Sequence, residues 1–149
     1  MTKVLSFETK IGWITIKAID QKLLSVKFGK QKKQNSNPFL NIVKKQILNH
    51  ISGNLKKFKL TLLIKGSDLQ KKIWNELQKI PYGKTKTYGQ IAKKLQTSPR
   101  YVGNVCGQNS HLLIIPCHRV IRTDGSLGGF SGLGGVKLKE RLLNLEKNE

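Results

Sequence analysis

The sequence predicts an α/β (α+β) protein in two parts. A small amino-terminal sheet-and-helix domain is expected over residues 1–66, and a mainly helical carboxy-terminal domain over residues 67–149. Short runs of alternating apolar residues, typical of strands, fill the beginning of the chain. After Gly66, apolar residues recur at helical spacing behind capping residues, which indicates a series of short helices.

The amino-terminal part begins with strands and continues into a helix. The predicted strands are Val4–Phe7, Trp13–Ile16 and Leu23–Phe28. Asn37 followed by Pro38 is typical of an N-cap and first helical position, and Gly53 is expected to end this helix. A further strand is predicted over Lys59–Ile64.

The carboxy-terminal part contains a predicted helix-turn-helix. Thr87 and Gln90 form a capping box that begins one short helix, and Ser98 caps a second helix, Pro99–Gln108. In a helix-turn-helix the second helix would contact DNA, although helical hairpins also simply pack. The continuous apolar run Leu112–Ile115 then predicts a buried strand. A glycine-rich loop and a last helix over Gly135–Glu146 follow.

Charge points to a polyanionic partner. The chain carries 28 Lys and Arg against 8 Asp and Glu, a net charge of +20. Nucleic acid is the simplest partner for such a surface, but a compositional excess of lysine would produce the same charge. Arginine is more selective for phosphate, and Arg100, Arg119 and Arg122 lie near the motifs discussed below.

Other sequence features indicate where the protein works. No stretch approaches the roughly 20 apolar residues of a membrane span, and the amino terminus lacks the pattern of a signal peptide. The two cysteines, Cys106 and Cys117, cannot form a disulfide framework. We therefore expect a soluble cytoplasmic protein without a membrane association. Residues 1–66 contain no cysteine and a single histidine, His50, so no metal and no cofactor are predicted.

Cys117 is the candidate nucleophile. An ordinary thiol has a pKa of about 8.5 and needs a base to become a thiolate at neutral pH. His118 is the obvious base, but neighbours on a strand point to opposite faces, so a water or a bend would have to link them. Glu146 is a candidate to orient and polarise the imidazole. The alternative interpretation is that Cys117 is a core residue on an apolar strand, and this is also the favoured interpretation for Cys106.

Several segments together resemble one family. IPCHRVI at residues 115–121 resembles the active-site signature of the O6-alkylguanine-DNA alkyltransferases, or methylated-DNA–protein-cysteine methyltransferases. IPYGKTKTYGQIA and SPRYVGNVCGQN resemble the two halves of the family's helix-turn-helix. GGFSG and GVKLKERLLNLE resemble its substrate loop and closing helix. These motifs occur in the family's order from about Leu69 to Glu146, whereas residues 1–66 resemble its variable domain only in length and element order.

The resemblance implies single-use DNA repair. Members of this family extrude an alkylated guanine from duplex DNA and transfer the alkyl group from O6 to a cysteine, forming a stable thioether. By position, Cys117 matches the alkyl acceptor, His118 the water-linked base and Glu146 its carboxylate partner. The partner implied is duplex DNA containing O6-alkylguanine, and we expect a monomer. Whether O4-methylthymine is also a substrate stays open.

The resemblance also assigns substrate contacts. Arg100 matches the arginine that fills the base stack, and Tyr88 the tyrosine that helps rotate the phosphate and donates a proton toward N3. Asn109 matches the residue that braces the active-site turn. The backbone N–H of Ser131 would bond O6, and the carbonyls of Cys117 and Val120 would accept from the guanine amino group. Phe130 stands where many relatives have tyrosine; it keeps an aromatic wall and lacks the hydroxyl.

Three other functions remain as alternatives. A non-enzymatic relative that marks alkylated DNA would lack the acceptor cysteine, which this chain has at Cys117. A helix-turn-helix regulator would leave IPCHRVI and the glycine-rich loop without a purpose. A cysteine hydrolase would regenerate its thiol and turn over, and failure to do so would exclude it.

Overall fold

A computed structural model of the chain describes residues 1–128 and 135–147. The fold is mixed α/β, as predicted, and it divides into two compact units. The first unit is Met1–Ile64 with Ser110–Leu112, and the second is Lys65–Asn109 with Leu113–Glu149. Within the two described ranges, no helix has both the length and the apolar character needed to cross a bilayer.

The first unit is built on an antiparallel sheet. Strands β1 (Thr2–Thr9), β2 (Gly12–Ile19) and β3 (Lys22–Phe28) pair in the order β1-β2-β3, and all three predicted strands are confirmed. Ile14 and Ile16 of the central strand are fully buried. Their spacing of two residues places them on one face of the sheet, and this face forms the core.

Helix α1 (Pro38–Ile51) packs against β1 and β2. The Asn37 side chain accepts a hydrogen bond of 2.9 Å from the Leu40 N–H, so the predicted cap is confirmed. Val43 and Ile47, four residues apart on the helix, are fully buried. The helix is therefore held by the same apolar core that buries the sheet.

The free edge of β3 is shared by two later segments. At Leu23, the N–H donates to the Thr61 carbonyl and the carbonyl accepts from Leu63, both at 2.8 Å. The predicted strand over Lys59–Ile64 is therefore wrong, because only the residues around Leu62 pair with β3. The edge of β3 around Val26 pairs with residues 110–112, so the segment around Leu62 cannot extend its pairing in that direction.

That second segment is Ser110–Leu112. Val26 donates to the Ser110 carbonyl at 2.8 Å and accepts from the Leu112 N–H at 3.1 Å, while His111 Nε2 bonds the Leu23 carbonyl at 2.8 Å. The sequence-based division placed these residues in the second domain, whereas in the structure they belong to the first compact unit. Their backbone hydrogen bonds complete the sheet of the first unit.

The described part of the second unit is mainly helical. Helices α2 (Asp68–Gln78), α3 (Tyr88–Leu95) and α4 (Pro99–Gly107) pack on one another, and α5 (Gly135–Lys147) contacts a short 3₁₀ turn, Cys117–Arg119. The capping boxes that begin α2 and α3 are both formed. Three residues, Gln96–Ser98, separate α3 from α4, so the predicted pair of short helices is present.

Two short strands tie α3 to the 3₁₀ turn. β4 (Lys86–Thr87) and β5 (Val120–Ile121) pair in parallel, with Lys86 opposite Val120. The predicted strand Leu112–Ile115 is wrong: these residues form a buried turn in which Leu113 has a φ of 74°. Their continuous apolar character reflects burial alone, which periodicity does not distinguish from a buried strand.

We expect the cap of α2 to contribute measurably to stability. Ser67 accepts from the Gln70 N–H at 3.2 Å, so Ser67→Ala should lower the free energy of unfolding by about 1 kcal/mol. Urea denaturation measures the change. Ser52→Ala, at the carboxy-terminal end of α1, is the matched control. An equal loss of unfolding free energy in both variants would contradict a specific effect of the N-cap.

Candidate active site

Several sequence-predicted residues line one cavity. It has a volume of about 670 Å³ and lies in the second unit. The cavity brings together Tyr88 from the start of α3, Arg100 from the first turn of α4 and Cys117 from the 3₁₀ turn. The other lining residues are Pro99, Gly103, Cys106, Gly107, Arg122, Thr123 and Gly128. The cavity therefore joins the predicted DNA-reading helix to the predicted nucleophile.

Cys117 begins the 3₁₀ turn and does not end a strand as predicted. Its N–H donates to the Ile115 carbonyl at 2.8 Å, and its own carbonyl accepts from the Val120 N–H. Only 4% of the residue is exposed. Burial raises the pKa of the thiol to about 11, although a hydrogen bond with the Asn109 side chain and the charge of Lys139 act in the opposite direction. The resting thiol is therefore protonated at neutral pH.

Asn109 connects the end of α4 to the cysteine segment. It is buried, and its Nδ2 donates to the Ile115 carbonyl at 2.8 Å. The same side chain is hydrogen-bonded to Cys117. Asn109 thus holds the backbone on the amino-terminal side of Cys117, the candidate nucleophile.

His118 is fully buried and is held by Glu146. Its Nε2 lies 2.7 Å from Glu146 Oε2. Because an ionised carboxylate only accepts, Nε2 carries the proton and donates it to this hydrogen bond. Burial lowers the pKa of His118 despite the nearby carboxylate, so the ring is neutral at pH 7. Its Nδ1 has a free lone pair, and no described residue is its hydrogen-bond partner.

Glu146, on α5, accepts more than one strong hydrogen bond. Arg119 donates from Nε to Oε1 at 2.9 Å and from Nη2 to Oε2 at 3.0 Å, and the Gly83 N–H donates to Oε1 at 3.1 Å. Burial alone would raise the pKa of this carboxyl, but the hydrogen bonds and charges of His118 and Arg119 hold it at about 2. Glu146 is therefore ionised across the physiological range.

The three arginines near the motifs have different environments. Arg119 is buried, and besides Glu146 it bonds the Ile80 carbonyl at 2.7 Å. It is therefore a structural residue and does not face a phosphate. Arg100 and Arg122 are exposed, and both line the cavity. These two side chains thus place positive charge at the cavity that Cys117 lines.

Tyr88 and Lys139 form a polar pair beside the cavity. Lys139, on α5, is fully buried, and its Nζ donates to the Tyr88 hydroxyl at 3.2 Å and to the Leu127 carbonyl. Burial lowers the pKa of Lys139. Burial also raises the pKa of Tyr88 to about 12, so the phenol keeps its proton at neutral pH.

The remaining residues singled out from the sequence are Val120, Phe130, Ser131 and Cys106. Val120 is fully buried in β5. Phe130 and Ser131 lie outside the described residues. Cys106 is a small buried residue, as favoured from the sequence, and it also lines the cavity; burial raises the pKa of its thiol to about 12. Among the described residues, no three His, Cys, Asp or Glu side chains lie close enough together to hold a metal ion.

Comparison with known proteins identifies the family. The family model described as "6-O-methylguanine DNA methyltransferase, DNA binding domain" matches residues 68–148. A methylated-DNA–protein-cysteine methyltransferase of Methanosarcina acetivorans is 38% identical over 150 residues, which cover 94% of this chain and 95% of the relative. The chain belongs to the methylated-DNA–protein-cysteine methyltransferase family. A further relative, from Mycolicibacterium paratuberculosis, is 32% identical over 99% of this chain and 93% of its own.

Solved structures of this methyltransferase family share the fold. The O6-methylguanine methyltransferase of Mycobacterium tuberculosis superimposes with a TM-score of 0.87 at 32% identity, covering 99% of this chain and 94% of the other. A structure of Mycobacterium tuberculosis OGT in complex with DNA gives a TM-score of 0.86 at 34% identity, covering 97% and 92%. The similarity extends through both units of the chain.

Two polar residues of this methyltransferase site were not identified from the sequence. Lys139 precedes Glu146 by two helical turns, so it shares a face with that residue and with the buried Leu142 and Leu143. A lysine on the apolar face of a helix was the available signal. Arg119 was identified only as a possible phosphate ligand, because nothing in the motif distinguishes an arginine that pairs with a buried carboxylate.

The Glu146 network predicts a pH-dependent contribution to stability in this family member. The carboxyl pKa falls from 4.5 to about 2 on folding, so its stabilisation is fully present above pH 4.5 and is lost as the pH falls toward 2. Glu146→Gln should therefore reduce the free energy of unfolding by about 3 kcal/mol at pH 7, because Arg119 loses its partner. The difference from wild type should narrow below pH 4.5.

Urea titrations between pH 7 and pH 3 measure this difference. Glu140→Gln is the control because Glu140 is an exposed carboxylate on the same helix. A Glu146→Gln deficit that stays constant down to pH 3 would show that ionisation of Glu146 is not its source.

Proposed function

We propose that the chain repairs O6-alkylguanine in duplex DNA by moving the alkyl group to Cys117, once per molecule. The observation that carries this proposal is a buried thiol that lines a cavity with two exposed arginines, next to a neutral histidine whose Nδ1 is available. A new bond would form between Cys117 Sγ and the alkyl carbon as the bond from that carbon to O6 breaks. The thioether product is stable, which makes the reaction stoichiometric.

The thiol proton needs an acceptor before transfer. His118 Nδ1 would take it through a water molecule, and the imidazolium that forms would be stabilised by Glu146, which lies 2.7 Å from Nε2. Because the resting thiol has a pKa of about 11, a base is required at neutral pH. Cys117, His118 and Glu146 would thus act as one relay.

The departing guanine also needs a proton. As the bond to O6 breaks, negative charge develops on the base, and the Tyr88 phenol would donate toward N3. Lys139 supports this role because it donates to the Tyr88 oxygen and so favours release of the phenolic proton. The guanine would also contact the backbone: the Ser131 N–H would donate to O6, and the carbonyls of Cys117 and Val120 would accept from the amino group. Phe130 would form an aromatic wall beside the alkyl group.

Access to O6 requires that the nucleotide leave the duplex. Extrusion costs a few kcal/mol, least where pairing is already damaged. Helix α4 would lie against the duplex, and Arg100, exposed in its first turn, would enter the stack in place of the extruded base. In this proposal, residues 67–149 both bind the DNA and accept the alkyl group. The protein would act as a monomer in the cytoplasm. O4-methylthymine is a second lesion to be tested in the same assay.

Replacement of the acceptor should separate binding from transfer. Cys117→Ser should retain affinity for duplex DNA containing O6-methylguanine within about threefold, since one atom changes, yet transfer no methyl group. Intact mass and peptide mapping after incubation with excess duplex measure transfer, and wild type should gain a single methyl on the Cys117 peptide. Cys106→Ser, at the other cavity thiol, is the control that should still react.

Two results would contradict this assignment. Substantial methylation of Cys117→Ser would show that another residue is the acceptor. Lesion-selective binding by wild type with no mass change would favour a protein that marks alkylated DNA for another pathway.

Arg100→Ala should lose transfer selectively. An arginine that replaces the extruded base matters only in a duplex, so the rate on duplex DNA should fall by at least about tenfold while reaction with free O6-benzylguanine is unchanged. Single-turnover rates on both substrates measure this, and Arg100→Lys tests whether charge alone suffices. Equal losses on the two substrates would exclude a role in extrusion.

A further inference from the structure

Arg122 is a cavity residue that neither the fold nor the proposed reaction uses. It directly follows β5, and a tight turn fixes its backbone: its N–H donates to the Ser126 carbonyl at 2.8 Å, and its carbonyl accepts from Gly125 at 2.9 Å. The Cα position of Arg122 is therefore set by the same segment that carries Cys117.

The guanidinium of Arg122 is exposed and available. Among residues 1–128 and 135–147, no hydrogen bond or ion pair of this side chain is present, in contrast to the buried Arg119. Asp124 is near enough to interact electrostatically, but its Oδ1 accepts hydrogen bonds from the Ser126 N–H at 2.9 Å and hydroxyl at 2.7 Å. The Asp124 carboxylate is thus already engaged within its own turn.

Arg122 lies beside the tyrosine that faces the substrate. A Cβ placed on Gly128 would be 3.2 Å from the Tyr88 hydroxyl and 3.6 Å from Arg122 Cγ, so the two side chains flank the same glycine. Arg122 also acts electrostatically on both Tyr88 and Lys139. Its charge is therefore directed at the part of the cavity where the polar pair lies.

We propose that Arg122 binds the phosphate of the extruded nucleotide. An extruded base reaches the cavity still attached to its sugar and phosphate, so an anion must lie at the cavity entrance whenever the base is inside. A guanidinium offers forked donors that match phosphate oxygens, and an unpaired arginine that lines this cavity is suitably placed. This inference rests on the proposed function and adds to it a residue that would hold the extruded nucleotide by its phosphate.

Arg122 and Arg100 would contribute to binding on different substrates. Arg100 would replace a base in the stack, so its contribution requires a second strand. Arg122 would bind a phosphate, so its contribution requires only a nucleotide in the cavity and should be equal in duplex and single-stranded substrates. Neither arginine should affect reaction with a free base, because that substrate has neither a stack nor a phosphate.

The test compares Arg122→Ala with wild type on three substrates at saturating and subsaturating concentrations. These are O6-methylguanine in a duplex, the same lesion in a single strand, and free O6-benzylguanine. We expect about tenfold weaker binding to both lesion-containing DNAs, because the variant loses one charge-assisted hydrogen bond. The rate of reaction with the free base should be unchanged. The slope of log affinity against log salt should decrease by about 0.9 on the duplex and about 0.7 on the single strand.

Two control variants refine the result. Arg122→Lys keeps the charge and should recover most of the affinity without the bidentate contact. Lys57→Ala removes one exposed charge from the first unit, outside residues 67–149, and should leave the affinity for damaged and undamaged DNA within about twofold of wild type. Undamaged duplex is the reference for every variant, and Arg122→Ala should leave its affinity within about twofold, since its nucleotides remain stacked.

Several outcomes would overturn the inference. Equal weakening on damaged and undamaged duplex would make Arg122 a general backbone contact. A slower reaction with the free base would place its role at the base or in the cavity shape, and unchanged binding to all DNAs would exclude a phosphate contact. Absence of alkyl transfer by wild type, of methyl from either DNA and of benzyl from the free base, would instead refute the proposed function itself.

Discussion

The second unit depends on one buried carboxylate, that of Glu146. It accepts hydrogen bonds from the 3₁₀ turn through His118 and Arg119 and from the Gly83 turn through a backbone N–H, so two segments distant in sequence from α5 meet on its two oxygens. Arg119 extends the connection to the Ile80 carbonyl. A buried ion pair with this many hydrogen bonds is costly to break, because either partner alone would be an uncompensated charge. The carboxylate also fixes the tautomer of His118.

The site combines a buried, protonated thiol with a neutral histidine. Burial holds Cys117 in its protonated form, with a pKa of about 11, which limits its reaction with electrophiles in solution. The neutral His118 keeps a lone pair on Nδ1 because its other nitrogen is committed to Glu146. In the proposed reaction the single nucleophile is consumed, and this arrangement would activate the thiol only where His118 and the substrate meet.

Much of this architecture could be predicted from local sequence signals. Asn37, Ser67 and Thr87 carry side-chain caps whose geometry depends on neighbouring residues, and the helices they begin are confirmed. The predicted strand at Leu112–Ile115 was wrong because its apolar run records burial. The predicted strand at Lys59–Ile64 was wrong because only the residues around Leu62 pair with the edge of β3. The side-chain partners of Arg119 and Lys139 could not be predicted, since they come from residues far along the chain.

The predicted roles of Tyr88, Arg100 and Asn109 stay predictions. Tyr88 and Arg100 line the cavity, and Asn109 contacts the segment that carries Cys117.

The edge of β3 has a consequence for how the chain folds. Residues 110–112 complete the first unit, and the hydrogen bond from His111 to the Leu23 carbonyl joins positions 88 residues apart. A contact of such sequence separation requires closure of a long loop, which slows folding relative to helical hairpins such as α3 and α4. During synthesis, the sheet of the first unit would remain unfinished until most of the second unit has emerged. A polypeptide cut after Ile64 would therefore expose unpaired groups at an edge strand, where intermolecular pairing begins.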